Sequence, residues 1–192
     1  MSFASGFSRS FLYGVPTVAI LSAAFGAAGF LGLKKHYPAI QRQVATGTRV
    51  ISQHGLSADP RETLLELIGH SKTEILVSAR ILGWEDVLIA LRTKARSGVR
   101  VVILFDAVAN PNPDKGALGW VLQNRVGEVY VADGPLLEQS LATDGSYLAV
   151  STLAWAPKAS KLGTTYYIAD PVVLKEFAVG YAQMLSRAKK LL

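Results

Sequence analysis

Few residues in this chain have the type and spacing that predict catalysis or metal binding. The three histidines, His36, His54 and His70, do not have the four-residue spacing that would place two metal ligands on one helix face. The chain has no cysteine, which excludes a disulfide, a thiolate zinc site and a cysteine nucleophile. A Walker-type glycine loop and a GxSxG turn are also missing from the sequence. We therefore expect no metal site and no cofactor, and we interpret each histidine as a surface or cap residue.

One aspartate and two lysines remain as candidates. Asp144 and Gly145 form a turn pair between two predicted strands, which predicts a hairpin. The aspartate either serves that turn alone or belongs to a site built on it. Lys158 and Lys161 follow the hairpin closely, where they either contact a phosphate-bearing ligand or lie in a solvated loop.

The elements that would position these residues alternate between strands and helices. Runs of β-branched and apolar residues predict strands over residues 50–54, 74–81, 100–105, 129–132, 137–143, 147–153 and 164–168. Helices are predicted over residues 84–97 and 116–124, and two more begin where an aspartate precedes a proline, at Asp59 and at Asp170. This succession predicts an α/β fold in which helices cover a sheet.

The buried faces and the end of the predicted helices also follow from the sequence. The first helix buries Leu64, Leu65, Leu67 and Ile68. The last helix carries an apolar stripe and ends in three cations that suit a helix carboxyl terminus. The stripe comprises Val173, Leu174, Phe177, Tyr181 and Leu185, and the cations are Arg187, Lys189 and Lys190.

An apolar segment precedes this domain. Residues 11–33 contain no charged side chain over 23 positions, which is long enough for a helix to cross a membrane. We predict an uncleaved anchor over residues 1–33, with a cleaved secretory signal as the alternative. Residues 34–49 then form a juxtamembrane linker, and residues 50–192 form the globular domain. The larger number of cations after the span favours a cytoplasmic domain over a periplasmic one.

The order of elements over residues 50–190 resembles the single-motif branch of the phospholipase D superfamily, typified by small plasmid-borne nucleases. In that family the motif HxKxxxxD is followed by Gly and Ser, seven and eight residues after the aspartate, and then by Asn. If Asp144 is the motif aspartate, Leu137 stands at the histidine and Gln139 at the lysine. Ser151 and Thr152 take the glycine and serine positions, and Ala154 takes that of the asparagine.

The resemblance implies a phospholipase D-like mixed sheet flanked by helices, but not the family's chemistry. In such enzymes the histidine attacks phosphorus and the lysine stabilises charge on the phosphate oxygens. Leu137 can do neither, and Gln139 can donate a hydrogen bond but carries no charge. We therefore expect no catalytic residues, and a pseudoenzyme that has lost its histidine and lysine.

The expected function is a membrane-anchored binding or inhibitory module in the bacterial inner membrane, with a conjugative DNA transfer context implied by the resemblance. The alternative is an active phosphodiesterase or endonuclease that uses other residues, and an unrelated α/β membrane protein is a third reading. The family pairs its single motifs, so a homodimer is expected, as is a protein partner. A net charge of +6 also suits nucleic acid or another phosphate ligand.

Overall fold

The computed structural model describes residues 51–54, 60–157 and 164–192. The chain divides into two compact units, Met1–Gln43 and Val44–Leu192, and every described residue lies in the second. Within these ranges, no helix combines the length and the apolar character needed to cross a membrane. The predicted span over residues 11–33 lies outside the described residues, as does the linker over residues 34–49.

The described part of the chain forms one mixed sheet with helices on it. The strands are β1 (Ile51–His54), β2 (Glu74–Ala79), β3 (Arg100–Phe105), β4 (Glu128–Val131), β5 (Gln139–Thr143), β6 (Tyr147–Ser151), β7 (Thr164–Ile168) and β8 (Lys189–Lys190). The helices are α1 (Arg61–His70), α2 (Glu85–Arg96), α3 (Gly116–Gln123) and α4 (Pro171–Arg187). The strand order is β1-β7-β6-β5-β2-β3-β4-β8.

Strand direction gives the sheet two distinct edges. β2, β3 and β4 are parallel, while every other pairing is antiparallel. We call the edge where β2, β3 and β4 begin, at Glu74, Arg100 and Glu128, the lower edge. The opposite edge, where these three strands end and β5 begins at Gln139, is the upper edge. The β5–β6 turn therefore lies at the lower edge.

Both faces of the central strands are buried, as the apolar runs in the sequence predicted. Along β2, Ile75 and Val77 pack under α1, α2 and α3, whereas Leu76 packs toward α4. β3 alternates in the same way, with Ile103 on the first face and Leu104 on the second. Burying each large apolar side chain stabilises the fold by about 1.5–3 kcal/mol. This alternation is therefore the main determinant of the strand register.

The helices differ from the sequence predictions in three respects. Asp170 caps α4 by accepting from the N–H groups of Val172 and Val173, as predicted. α1 instead begins after Pro60 without a side-chain cap, and Asp59 lies outside the described residues. Val173 is 38% exposed rather than buried. The predicted helical cations Lys189 and Lys190 form β8, because the chain after α4 pairs with β4.

Candidate functional site

Gln139, at the motif's lysine position, joins two connections at the upper edge. Its side chain is 2% exposed. The Oε1 atom accepts from the N–H of Ile81 at 3.0 Å, and the Nε2 atom donates to the carbonyl of Leu153. Both ends of the amide are thus engaged with backbone, and the segment after β2 is tied to the segment after β6. A buried amide satisfied in this way has a structural role and does not present a free donor to a ligand.

Leu137, at the motif's histidine position, projects into solvent two residues before β5. Its side chain is 90% exposed, so it does not contribute to the core. The backbone beside it is nevertheless fixed, because the N–H of Leu136 donates to Oδ2 of Asp106 at 2.6 Å. Asp106 is buried at the end of β3, and its Oδ1 accepts from the N–H of Ala109 at 2.7 Å. The upper edge therefore holds a well-braced loop with a solvent-exposed leucine at the position that the motif alignment assigns to the histidine.

The remaining motif positions also lie at the upper edge and serve the junction between β6 and β7. The buried hydroxyl of Ser151 hydrogen-bonds the hydroxyl of Thr165 at 2.9 Å. Thr152 is exposed, and its hydroxyl accepts from the N–H of Thr164 at 3.0 Å. Ala154 is half-buried. Lys158 and Lys161, the two candidate phosphate contacts, lie outside the described residues.

Asp144 lies at the other end of β5, in the turn at the lower edge. Its carboxylate accepts five hydrogen bonds at 2.8–2.9 Å, from three backbone N–H groups and two hydroxyls. The donors are the N–H groups of Lys72, Thr73 and Glu74 and the hydroxyls of Ser71 and Thr73. Partial burial opposes ionisation, but these hydrogen bonds outweigh it and hold the pKa of the Asp144 carboxyl well below its ordinary value.

The motif residues are therefore split between the two edges. Asp144 follows Gln139 by five positions along an extended strand, which separates their backbones by about 17 Å. The structure brings Leu137, Gln139 and Ser151 together at the upper edge and leaves Asp144 out. Asp144 directly follows β5 in the hairpin turn and has a φ of +53°.

The two described histidines differ in their distance from the upper edge. His70 is exposed at the end of α1, near the lower edge, where its Nδ1 atom hydrogen-bonds the carbonyl of Glu66 at 2.9 Å. His54 ends β1 at the upper edge. β7 and β6 separate β1 from β5, so the His54 backbone lies about 14 Å from Gln139.

Two features of the upper edge were not singled out from the sequence. Asp106 directly follows the apolar strand β3, and its hydrogen bonds to two loops depend on the tertiary fold. Trp155 is fully buried, its N–H and carbonyl hydrogen-bond the segment after β2, and its indole Nε1 has no partner among the described residues. No local pattern in the sequence distinguishes such a tryptophan from an ordinary core residue.

The fold is similar to that of several solved structures. NucT from Helicobacter pylori superposes with a TM-score of 0.68 at 15% identity, over 76% of this chain and 100% of that one. The phospholipase D family member Nuc from Salmonella typhimurium gives 0.63 at 13% identity, over 76% of this chain and 99% of that one. TrmBL2, an archaeal chromatin protein, gives 0.56 at 17% identity, over 93% of this chain and 67% of that one.

Sequence comparison adds nothing to these structural matches. No protein-family model matches the chain, and no curated protein is similar to it. The third reading from the sequence, an unrelated α/β fold, is nevertheless wrong. The described domain has the fold of the phospholipase D and nuclease superfamily.

Proposed function

We propose that this chain is a membrane-tethered, catalytically inactive member of the phospholipase D fold that acts as a binding or inhibitory module. The tether is the apolar segment over residues 11–33, and the bacterial inner membrane is its proposed location. The proposal includes a protein partner or a second copy of the chain as ligand. Conjugative DNA transfer is a proposed context that rests on the resemblance alone.

The side chains at the upper edge are the observation that supports the absence of catalysis. A phosphodiesterase of this fold needs a nucleophile and a cation on neighbouring positions of β5. Leu137 supplies a solvent-exposed alkyl group, and Gln139 supplies a neutral amide whose two ends are held by Ile81 and Leu153. Converting that amide into a phosphate contact would break two buried hydrogen bonds, which opposes any latent activity.

A binding role is compatible with the use of this fold elsewhere. TrmBL2, similar in fold at 17% identity, is a chromatin protein that binds DNA. The net charge of +6 on this chain supports an anionic ligand in the same general way. Nucleic acid is therefore included among the proposed ligands, and a steep fall of affinity with salt concentration would identify it.

A hydrolysis assay on the detergent-purified full-length chain tests the inactive state. We expect no release of p-nitrophenol from bis-p-nitrophenyl phosphate and no nicking of plasmid DNA above a protein-free blank. The Gln139→Leu variant serves as the matched control, because it removes the polar group without adding a charge, and it should give the same baseline. Turnover by the unmodified chain that Gln139→Leu abolishes would contradict the proposal.

The competing function is a phosphodiesterase that uses substitute residues. The position of His54 at the upper edge is the one observation that favours it. His54→Ala would abolish hydrolysis in that case, whereas His70→Ala, at the lower edge, would leave it unchanged. In an inactive protein neither variant differs from the blank.

A further inference from the structure

Three exposed cations lie in a row at the lower edge. The connections that lead into the parallel strands β2, β3 and β4 all lie at this edge, because those strands begin here. One exposed cation lies in or directly before each connection, namely Lys72, Arg96 as the last residue of α2, and Arg125. None of the three forms an ion pair within the described part of the chain. Neighbouring strands are about 4.8 Å apart, so the cations extend over one continuous strip of surface.

The acidic groups next to this strip offset only part of its charge, since of Glu74, Glu128 and Asp144 only the last pairs with no other cation among the described residues. Asp144 accepts five hydrogen bonds from the α1–β2 connection. Glu74 pairs with Arg100 at 2.5 Å, and Glu128 pairs with Arg100 at 2.9 Å and with Lys190 at 3.2 Å. The three cations therefore form a net positive surface.

The ordinary explanation for cations near helix ends accounts for only part of this surface. Cations at a helix carboxyl terminus offset the negative end of the helix dipole. Lys94 performs that role for α1, because its Nζ atom donates to the carbonyls of Gly69 and Ser71 at 2.7 Å each. Lys72 and Arg125 lie beyond the helices and make no comparable contact among the described residues. Their exposure leaves them available to a ligand.

Arg125 is held in a backbone conformation that favours glycine. Its φ is +51°, in the left-handed region, which costs a side-chain-bearing residue about 1 kcal/mol. Asp144 has a similar φ of +53°, but its five hydrogen bonds offset the strain. The conformation of Arg125 is that of a helix end, because its N–H donates to the carbonyl of Leu122 at 3.2 Å and the N–H of Val126 donates to the carbonyl of Val121 at 3.1 Å. These two hydrogen bonds explain the positive φ, so the backbone conformation does not by itself indicate binding.

The polypeptide also joins the domain at this edge. β1 is antiparallel to β7, which ends at the lower edge, so β1 begins there at Ile51. The sequence immediately before it, residues 34–50, contains Lys34, Lys35, Arg42 and Arg49 and no acidic residue. The proposed membrane segment, residues 11–33, precedes these cations directly. A lipid surface is therefore the anionic partner closest to this edge along the chain.

We propose that the strip formed by Lys72, Arg96 and Arg125 docks the domain onto anionic phospholipid headgroups of the membrane. This inference rests on the tether of the proposed function. Each basic residue near an anionic membrane contributes on the order of fivefold in association, so the loss of all three weakens docking by about a hundredfold. The attraction falls off within a Debye length and is therefore screened by salt.

Fluorescence quenching in nanodiscs tests the docking. The chain has no cysteine, so Ser97→Cys gives one label at the lower edge and Val108→Cys gives one at the upper edge. The full-length labelled chain is placed in discs of phosphatidylcholine, with or without phosphatidylglycerol, that carry nitroxide headgroups. We expect stronger quenching at position 97 in the anionic discs only, with loss of the difference in high salt. Position 108 should show no difference between the two lipids.

Matched charge changes assign the effect to the strip. Lys72→Gln, Arg96→Gln and Arg125→Gln together should remove the quenching at position 97. Arg80→Gln, Lys115→Gln and Arg187→Gln, which remove the same charge at the upper edge, should keep it. Arg125→Gly alone should weaken quenching while raising the melting temperature, because it relieves the backbone strain. Quenching that is equal in both lipids, or that survives the lower-edge triple variant, would overturn the proposal.

The tether and the strip fail in different ways. A chain that does not insert into neutral discs but associates with preformed anionic discs through position 97 disproves the tether and supports the strip. A chain that inserts into both discs without a lipid-dependent difference supports the tether and overturns the strip. If duplex DNA binds the inserted chain, and the lower-edge triple variant abolishes that binding while leaving quenching intact, the strip belongs to nucleic acid and the lipid proposal is overturned.

Discussion

The two edges of the sheet use the predicted motif positions differently. At the lower edge, Asp144 organises the α1–β2 connection through five hydrogen bonds. At the upper edge, Leu137 contacts solvent and Gln139 holds two backbone segments together. Asp144 has a structural role in this fold, so its presence alone carries no information about activity. Substitutions at the two edges should separate stability from chemistry.

The largest effect is expected from Asp144→Ala. The variant leaves the N–H groups of Lys72, Thr73 and Glu74 without their acceptor and removes a charged hydrogen-bonding centre, which should lower the free energy of unfolding by about 3 kcal/mol. Asp144→Asn is the matched control, because its amide oxygen still accepts and asparagine tolerates a positive φ. Urea denaturation followed by tryptophan fluorescence measures both. An alanine variant as stable as the unmodified chain would refute the bracing role.

Gln139→Leu should have the next largest effect, about 2 kcal/mol. The substitution removes the acceptor of the part-buried Ile81 N–H and the amide donor to the buried Leu153 carbonyl, although leucine fills a similar volume. The same denaturation experiment applies, and hydrogen exchange at the Ile81 amide should speed up in the variant. If Gln139 instead faced a ligand, its replacement would leave stability unchanged.

Acid should weaken the lower edge selectively. The folded-state pKa of Asp144 lies below its unfolded value of about 3.9, so the unfolded chain takes up the proton first. The contribution of Asp144 is fully present above that value and is lost as the pH falls toward the folded pKa. The stability difference between the unmodified chain and Asp144→Asn should therefore stay constant near neutral pH and shrink as the pH falls below about 4. The protonated carboxyl still accepts hydrogen bonds, so this effect is smaller than that of alanine. A constant difference would contradict the assignment.

Leu137→Ala should have the smallest effect, within about 0.5 kcal/mol. Its side chain is 90% exposed and contributes nothing to the core, so truncation removes little buried surface. Leu141→Ala, in β5 and fully buried, is the control and should cost about 2–5 kcal/mol. A large loss from Leu137→Ala would mean that this residue packs against a part of the chain outside the described ranges.

Strand and helix periodicity was enough to predict the described elements in chain order. β3 and β7 have their predicted bounds, and the hairpin around Asp144 forms as predicted. The burial of β2 and β3 on both faces also follows from their apolar runs. Only β8 was missed, because two lysines after a helix carry no strand pattern. Their pairing with β4 depends on the tertiary path of the chain.

The candidate site was less accessible to sequence reasoning. The motif alignment placed Leu137 and Gln139 at the histidine and lysine positions, and this assignment stays a prediction. It also grouped Asp144 with them, although a strand separates the two positions by about 17 Å. The role of Gln139 depends on Ile81 and Leu153, which approach it only through the sheet. Hydrogen bonds between distant segments leave no periodic signal in the sequence.

Covalent capture tests the absence of a nucleophile most directly. A histidine that attacks phosphorus would carry a phosphoryl adduct during turnover. The full-length chain is incubated with bis-p-nitrophenyl phosphate, quenched rapidly and mapped by peptide mass spectrometry. Our account predicts no adduct on any histidine. A p-nitrophenyl phosphoryl group on His54, formed as one equivalent of p-nitrophenol is released, would contradict it.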